Sequence, residues 1–311
     1  MSNEYSSISC IHNRRDLIYG LWDGSVRIIS NGTANSISLK SPATAILENS
    51  LNTAYIGTVK GDIWEVKNER VACIIKASKS IKHTDINMQA VIGIHMHSED
   101  MIIGVYVHGE IVVYNTKNNT VMKKVQIDEK ITSSYAENGK ILCILESSTL
   151  LIYNIDSDSG FPMKSLLSDT EIDHAIFLPN TRQNIIAYST PIGKVCVDYA
   201  NRPGTGFVFK AHKQVKEAKE IYYPVTLLQP TSATQVITGG ADGEVHLWDV
   251  KHKTKVRTIL STKKCIITGA MKRDENNTPL SLTLVLSEGL DSLCEIEGTH
   301  HLVEVSLSGS L

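Results

Sequence analysis

Thr238-Gly239-Gly240-Ala241-Asp242-Gly243-Glu244-Val245-His246-Leu247-Trp248-Asp249 is the stretch that decides the fold class. It reads as a strand ending in small residues, an Asp-Gly tight turn, and a second strand with alternating apolar positions. An Asp-Gly pair between two such runs is a strong hairpin signal: glycine accepts a positive φ and aspartate can bond its own backbone. The rest of the chain repeats the phrase in weaker forms.

Five further copies precede or surround it. Leu17-Ile18-Tyr19-Gly20 is followed by Asp23-Gly24-Ser25-Val26-Arg27-Ile28, and Ala54-Tyr55-Ile56-Gly57 by Lys60-Gly61-Asp62-Ile63-Trp64. Met101-Ile102-Ile103-Gly104 precedes His108-Gly109-Glu110-Ile111-Val112. Ile141-Leu142-Cys143-Ile144 precedes Ser147-Ser148-Thr149-Leu150-Leu151. Ile185-Ile186-Ala187-Tyr188 precedes Ile192-Gly193-Lys194-Val195-Cys196. A seventh, degraded copy runs from Leu282 to Leu286 and ends near Leu302-Val303-Glu304-Val305. The turns lie about 37 to 50 residues apart, close to one four-stranded blade, and this pattern resembles the repeats of WD-repeat proteins, whose blades close on a Trp-Asp pair. Each such blade buries its faces only against its neighbours, so the units are expected to close radially. The fold class read here is all-β, a seven-bladed WD-repeat β-propeller forming a single domain over residues 1–311. Ala211 to Glu220 is polar and lysine-rich and reads as a long surface loop between the fifth and sixth blades. Only a few residues precede Ile8, so the closing strand is short or the ring closes within the last blade.

Composition narrows the function classes. The chain is 42% hydrophobic and 21% charged, with a net charge of −2. That balance does not announce nucleic acid as a partner. No run of 18 apolar residues exists, so no membrane span is expected. The polar start, Met1-Ser2-Asn3-Glu4, lacks the apolar core of a secretion signal. Six cysteines (Cys10, Cys73, Cys143, Cys196, Cys265 and Cys294) show no Cys-x-x-Cys spacing. They read as reduced core residues of a cytosolic or nuclear protein. No nucleophile elbow, phosphate-binding loop or dinucleotide fingerprint is present, so no catalytic residue and no cofactor is assigned. His95-x-His97 places two rings on one strand face, but no further ligand completes a metal site. His300-His301 would face opposite sides of a strand. Asp156 with Asp158 reads as a solvated loop. Trp22, beside the first turn, is either a packing residue or a partner hot spot.

The segment from Pro191 to Lys255 carries a more specific likeness. Gly193-Lys194-Val195-Cys196-Val197-Asp198-Tyr199, Phe207-Val208-Phe209-Lys210-Ala211-His212-Lys213, Tyr222-Tyr223-Pro224-Val225 and Gly239-Gly240-Ala241-Asp242-Gly243 resemble one branch of WD-repeat proteins. Ile8 to Val26, with Leu21-Trp22-Asp23-Gly24, is similar to the first blade of that branch. The branch contains Bub-type mitotic spindle-checkpoint proteins and nuclear-pore-associated mRNA export factors. Tyr223-Pro224-Val225 and Gly239-Gly240 resemble the checkpoint type more. The second to fourth blades have drifted.

The resemblance implies a non-enzymatic, monomeric adaptor in the nucleus, at kinetochores in mitosis. Its implied partners are a docking segment of checkpoint kinases and a phosphorylated Met-Glu-Leu-Thr-type motif of a kinetochore scaffold. A phosphothreonine, with its high negative charge and three acceptor oxygens, needs basic groups on a rigid rim. By resemblance these are Lys194 and either Lys210 or Lys213, with Trp22 against the apolar part of the peptide. Tyr106 belongs to the same implied surface; Tyr106-Val107 stands where the branch has Trp-Asp. Asp173 replaces an arginine of the branch, and lysine lacks the bidentate fork of arginine, so recognition is expected to be looser and more Coulombic. The alternatives are an export-factor-like propeller docking on a nucleoporin and an unrelated WD-repeat scaffold.

Overall fold

The computed structural model describes residues 7–49, 53–67, 70–77, 89–167, 169–179, 184–288 and 300–307. Cys294 and the first six residues, where a borrowed closing strand would begin, lie outside them. Among the described residues there is no α-helix. The strands form antiparallel meanders.

The first sheet is β1 (Ile8–Asn13), β2 (Leu17–Leu21), β3 (Ser25–Ser30) and β4 (Thr33–Ser38). The second is β5 (Ala43–Glu48), β6 (Thr53–Thr58), β7 (Ile63–Lys67) and β8 (Arg70–Ile75). The third is β9 (Val91–Ser98), β10 (Met101–Tyr106), β11 (Glu110–Asn115) and β12 (Thr120–Gln126). The fourth is β13 (Ile131–Glu137), β14 (Lys140–Leu145), β15 (Leu150–Asn154) and β16 (Ser159–Met163). The fifth is β17 (Ala175–Phe177), β18 (Ile185–Ser189), β19 (Lys194–Tyr199) and β20 (Phe207–Lys210). A two-stranded sheet follows, β21 (Lys213–Lys216) with β22 (Lys219–Tyr222). The sixth sheet is β23 (Val225–Ser232), β24 (Gln235–Gly240), β25 (Glu244–Asp249) and β26 (Thr254–Ser261); the last is β27 (Cys265–Arg273), β28 (Pro279–Ser287) and β29 (His301–Ser306).

Each repeated phrase is the second and third strand of its sheet. The second strands are buried almost throughout: all six residues of β6, and five of six in β10, β14 and β24. They are covered on both faces and read as continuous apolar runs. The fourth strands β4 and β12 largely face solvent, and β12 exposes Val121 and Met122 beside its lysines. The degraded seventh copy is β28 paired with β29.

The described residues fall into two compact units, 7–139 with 145–147, and 140–144 with 148–307. Within the first, β1, β5, β9 and β13 lie side by side as the opening strands of successive sheets. Ile18, Val26, Ala54, Ile56 and Val66 fill the space between its first two sheets, and Tyr55, Ile63, Ile94, Ile102 and Val112 that between the next two. Thr44 Oγ1 donates to the Val91 carbonyl at 2.6 Å, tying neighbouring opening strands. Within the second unit, β17, β23 and β27 repeat this arrangement, and Thr226 Oγ1 donates to the Ile266 carbonyl at 2.6 Å. Leu227, Ile237, Leu247, Ile266, Leu282 and Leu284 form the core between its last two sheets.

One local reading is corrected and one is given its geometry. Ala211 to Glu220 is largely not a loop: β21 and β22 make a hairpin in which Lys213 faces Tyr222 and Lys216 faces Lys219. Glu217 and Ala218 at its tip take φ of 51° and 62°. Positive φ at both central residues is the two-residue hairpin geometry, normally signalled by asparagine or glycine, so the sequence gives no cue. The Asp-Gly turn of the opening stretch is a three-residue connection, Ala241-Asp242-Gly243, in which the Gly243 N–H closes back on the Gly240 carbonyl at 3.1 Å. Only Gly243 is left-handed, at 81°, and a Cβ there would meet the Thr262 carbonyl oxygen at 2.2 Å. Asp242 keeps a negative φ, and its Oδ1 accepts the Glu244 N–H at 3.2 Å, the bond to its own backbone expected of an aspartate in this turn.

Candidate functional site

The fifth and sixth sheets of the second unit build the site. β20 carries Phe207, Phe209 and Lys210, and alternation puts both rings on one face with Lys210 on the other. Phe209 packs on Trp248 with ring centroids 4.7 Å apart. After Lys210 the chain turns inward at His212, which is fully buried. His212 Nδ1 lies 2.9 Å from Asp242 Oδ1, and Nε2 lies 2.9 Å from Thr238 Oγ1. Trp248 Nε1 donates to the same Thr238 oxygen at 2.9 Å.

Donor chemistry fixes the proton positions. The Asp242 carboxylate can only accept, so His212 carries its proton on Nδ1 and donates there. The other nitrogen of the neutral ring, Nε2, accepts the Thr238 hydroxyl proton, while Thr238 Oγ1 accepts from the indole. All the ring's polar atoms are satisfied without exposure. The ring of His246 stacks on His212 at 5.0 Å, and burial, the largest cause, pulls the His246 pKa down to about 4. A Cβ on Gly240 would lie 2.3 Å from His212 Nδ1, so this close approach requires glycine.

The network has a positional consequence. His212 is pinned inside, so its neighbours Lys210 and Lys213 are held outside. Lys194, at the start of β19, is the direct cross-strand partner of Lys210. Residues opposite each other in a ladder share a face, so these two ammonium stems lie side by side. Lys210 Nζ donates to Glu220 Oε2 at 2.7 Å and Lys213 Nζ to Glu220 Oε1 at 2.8 Å. The Tyr222 hydroxyl also donates to Glu220 Oε2. Lys210 Nζ stands 5.1 Å from the Tyr222 ring centroid. Glu220 pushes the Lys210 pKa up to about 12; Lys210, then Lys213 and Tyr222, pull Glu220 down to about 2. Lys194, Lys210 and Lys213 thus belong to one cationic neighbourhood. Both Lys210 and Lys213 face solvent.

Other expected positions fall elsewhere. Trp22 and Tyr106 lie in the first unit. Trp22 follows β2 in a turn where Asp23 Oδ1 accepts the Ser25 N–H and O–H, both at 2.7 Å. Its side chain is 56% exposed, so it is not a core residue. Tyr106 is only 4% exposed and packs in the core between the second and third sheets, which removes it from the implied surface. It lines a cavity of about 270 Å³ with Tyr114, His108, Glu110 and Lys124. A second cavity, of about 420 Å³, has walls of Ile18, Ile28, Ile37 and Val66 beside Glu48, whose carboxylate accepts the N–H groups of Arg15 and Asp16.

Asp173 precedes β17, and burial, then Glu171, raises its pKa to about 6. His95 is bonded to Ser134 Oγ at 2.9 Å, and no group of three metal-ligating side chains occurs among the described residues. Burial raises the thiols of Cys10 and Cys143 to about 12, which keeps them protonated and unreactive. Sequence reading missed Asp242, Thr238 and Glu220 as parts of the site.

No protein-family model matches the chain. It is 24% identical over 154 residues to "mRNA export factor rae-1" of Caenorhabditis elegans, covering 46% of this chain and 41% of that protein. The match therefore spans less than half the length of that relative. It is 22% identical over 271 residues to "Spindle assembly checkpoint protein bub3" of Schizosaccharomyces pombe (strain 972 / ATCC 24843), covering 80% of this chain and 78% of that protein. Among solved structures, "Structure of U3-55K" superposes with a TM-score of 0.72 at 13% identity, over 90% of this chain and 88% of that one. "Crystal structure of RRP9 WD40 repeats" gives 0.71 at 12% identity, over 90% and 87%. The all-β architecture, the blade closing on Trp248-Asp249 and these likenesses converge: the chain has a seven-bladed β-propeller fold of the WD-repeat type.

Proposed function

We propose that this chain is a non-enzymatic adaptor of the mitotic spindle checkpoint, acting as a monomer with residues 1–311 as one domain. It holds a docking segment of checkpoint kinases and a phosphothreonine motif of a kinetochore scaffold, and so recruits the kinases to kinetochores. The observation that carries this reading is the cationic neighbourhood of half-buried Lys194 with exposed Lys210 and Lys213, on elements fixed from behind by His212. A rigid cluster of ammonium groups suits an anionic side chain on a flexible peptide. Exposed Trp22 supplies an apolar contact for a partner. The bub3 likeness over 80% of the chain supports the checkpoint reading.

The rae-1 likeness favours a second reading, an export-factor-like propeller docking on a nucleoporin. A net charge of −2 weighs against RNA as its main ligand. Affinity purification from mitotic cells, with imaging of the tagged chain, separates the two. Recovery of checkpoint kinases and kinetochore signal is expected. Nucleoporins with a steady nuclear-rim signal would favour the export reading; neither set would leave an unrelated WD-repeat scaffold.

A further inference from the structure

We infer that Glu220 is a built-in occupant of the anion seat between Lys210 and Lys213, and that an incoming anion binds there only by displacing it. The inference rests on the phosphopeptide reading above and adds to it a residue that sets the affinity of the seat.

The geometry is that of a bound ligand. Each carboxylate oxygen of Glu220 takes one ammonium group, Oε2 from Lys210 at 2.7 Å and Oε1 from Lys213 at 2.8 Å. The Tyr222 hydroxyl adds a third donor. The hairpin makes this possible: Val215 faces Glu220 and Lys213 faces Tyr222 in the ladder, so Glu220 and Lys213 point to the same side two positions apart. Without the fold-back at Glu217 and Ala218, Glu220 could not reach either lysine. A carboxylate held at about 2 stays ionised at every physiological pH.

An incoming anion must therefore replace Glu220. A ligand carboxylate offers the same single charge and the same two oxygens, so the exchange gains little. A phosphothreonine brings roughly −1.5 to −2 charges and three acceptor oxygens, so a surplus remains after displacement. The seat is solvent-exposed, with Lys210 and Glu220 side chains 45% and 40% accessible. Ion pairs in that setting are weak, which makes Glu220 displaceable.

The test compares wild type with Glu220→Gln, a nearly isosteric change at an exposed position that leaves both lysines in place. Three synthetic peptides with a Met-Glu-Leu-Thr core are titrated: phosphorylated on threonine, unmodified, and with threonine replaced by glutamate. The substitution is expected to tighten the glutamate peptide and the phosphopeptide by the same factor, about threefold, because the cost of displacing Glu220 is common to both. No tightening of either overturns the inference. Inorganic phosphate is titrated in parallel, read by NMR at the Lys210 and Lys213 ammonium groups and the Glu220 carboxylate carbon. If no peptide binds either protein, the phosphopeptide reading fails on its own. Tighter phosphate binding to Glu220→Gln would still support an occupied seat, and binding equal within about twofold would overturn it.

Discussion

Replacing Thr238 by valine removes one hydroxyl from the buried network and leaves the shape of the side chain. Thr238 is fully buried, and its oxygen both accepts from Trp248 Nε1 and donates to His212 Nε2, each at 2.9 Å. The substitution deletes two hydrogen bonds and strands an indole N–H and an imidazole nitrogen away from water. A stranded buried group costs about 1–3 kcal/mol, so the two together cost about 2–6 kcal/mol. Over 311 residues, an unfolding entropy of about 2 cal/mol/K per residue makes 1 kcal/mol equal to about 1.5 °C, and the midpoint should fall by about 3–9 °C. Urea and thermal unfolding followed by circular dichroism measure this. A double-mutant cycle sharpens it. Trp248→Phe should cost less in the Thr238→Val background, with a coupling of about 1–2 kcal/mol. A midpoint shift under 1 °C, or additivity within about 0.5 kcal/mol, would refute the proposed network.

Other outcomes follow from single features. Replacing Glu217-Ala218 by Asn-Gly should relieve two left-handed non-glycine residues and raise hydrogen-exchange protection in β21 and β22 by about tenfold; unchanged protection would contradict the hairpin tip. His246 and His95, both held down to about 4 mainly by burial, keep their neutral form in the folded state. Their contribution to stability is present above the unfolded pKa of 6.5 and is lost as pH falls toward 4, so the urea midpoint should drop across that window. Asp173, raised to about 6, works the other way: its contribution is complete below about 4 and is lost as pH rises through 6. His246→Gln should flatten the acid limb. Trp22→Ala should leave the melting midpoint within about 1 °C, since the side chain is exposed, and weaken partner capture at least tenfold; intact capture would remove Trp22 from the interface.

The repeat was legible because each second strand is covered on both faces and each second-to-third turn falls at a small or polar residue. Those two constraints write apolar runs and Gly or Asp at a regular interval, and the apolar run survives in β28. The hairpin of β21 and β22 was hidden because Glu217 and Ala218 adopt a conformation neither residue advertises. The His212 network was hidden by distance along the chain: His212 lies 26 residues from Thr238 and 30 from Asp242. Its local trace was the Phe207-to-Lys213 phrase, whose two features now have separate causes, Phe209 on Trp248 and His212 against Gly240. Glu220 could not be linked to Lys210 from order alone, because only the fold-back brings them together. Tyr106 shows the opposite error: an aromatic residue at a strand end reads alike whether it faces a partner or the core.

Peptide titration tests most directly whether Lys194, Lys210 and Lys213 read a phosphate. Wild type should bind a phosphothreonine peptide with a Met-Glu-Leu-Thr core at least tenfold more tightly than its unmodified twin. The difference should shrink as salt rises and vanish in Lys194→Glu. Equal affinity of wild type for the two peptides, or full discrimination by Lys194→Glu, would contradict the assignment.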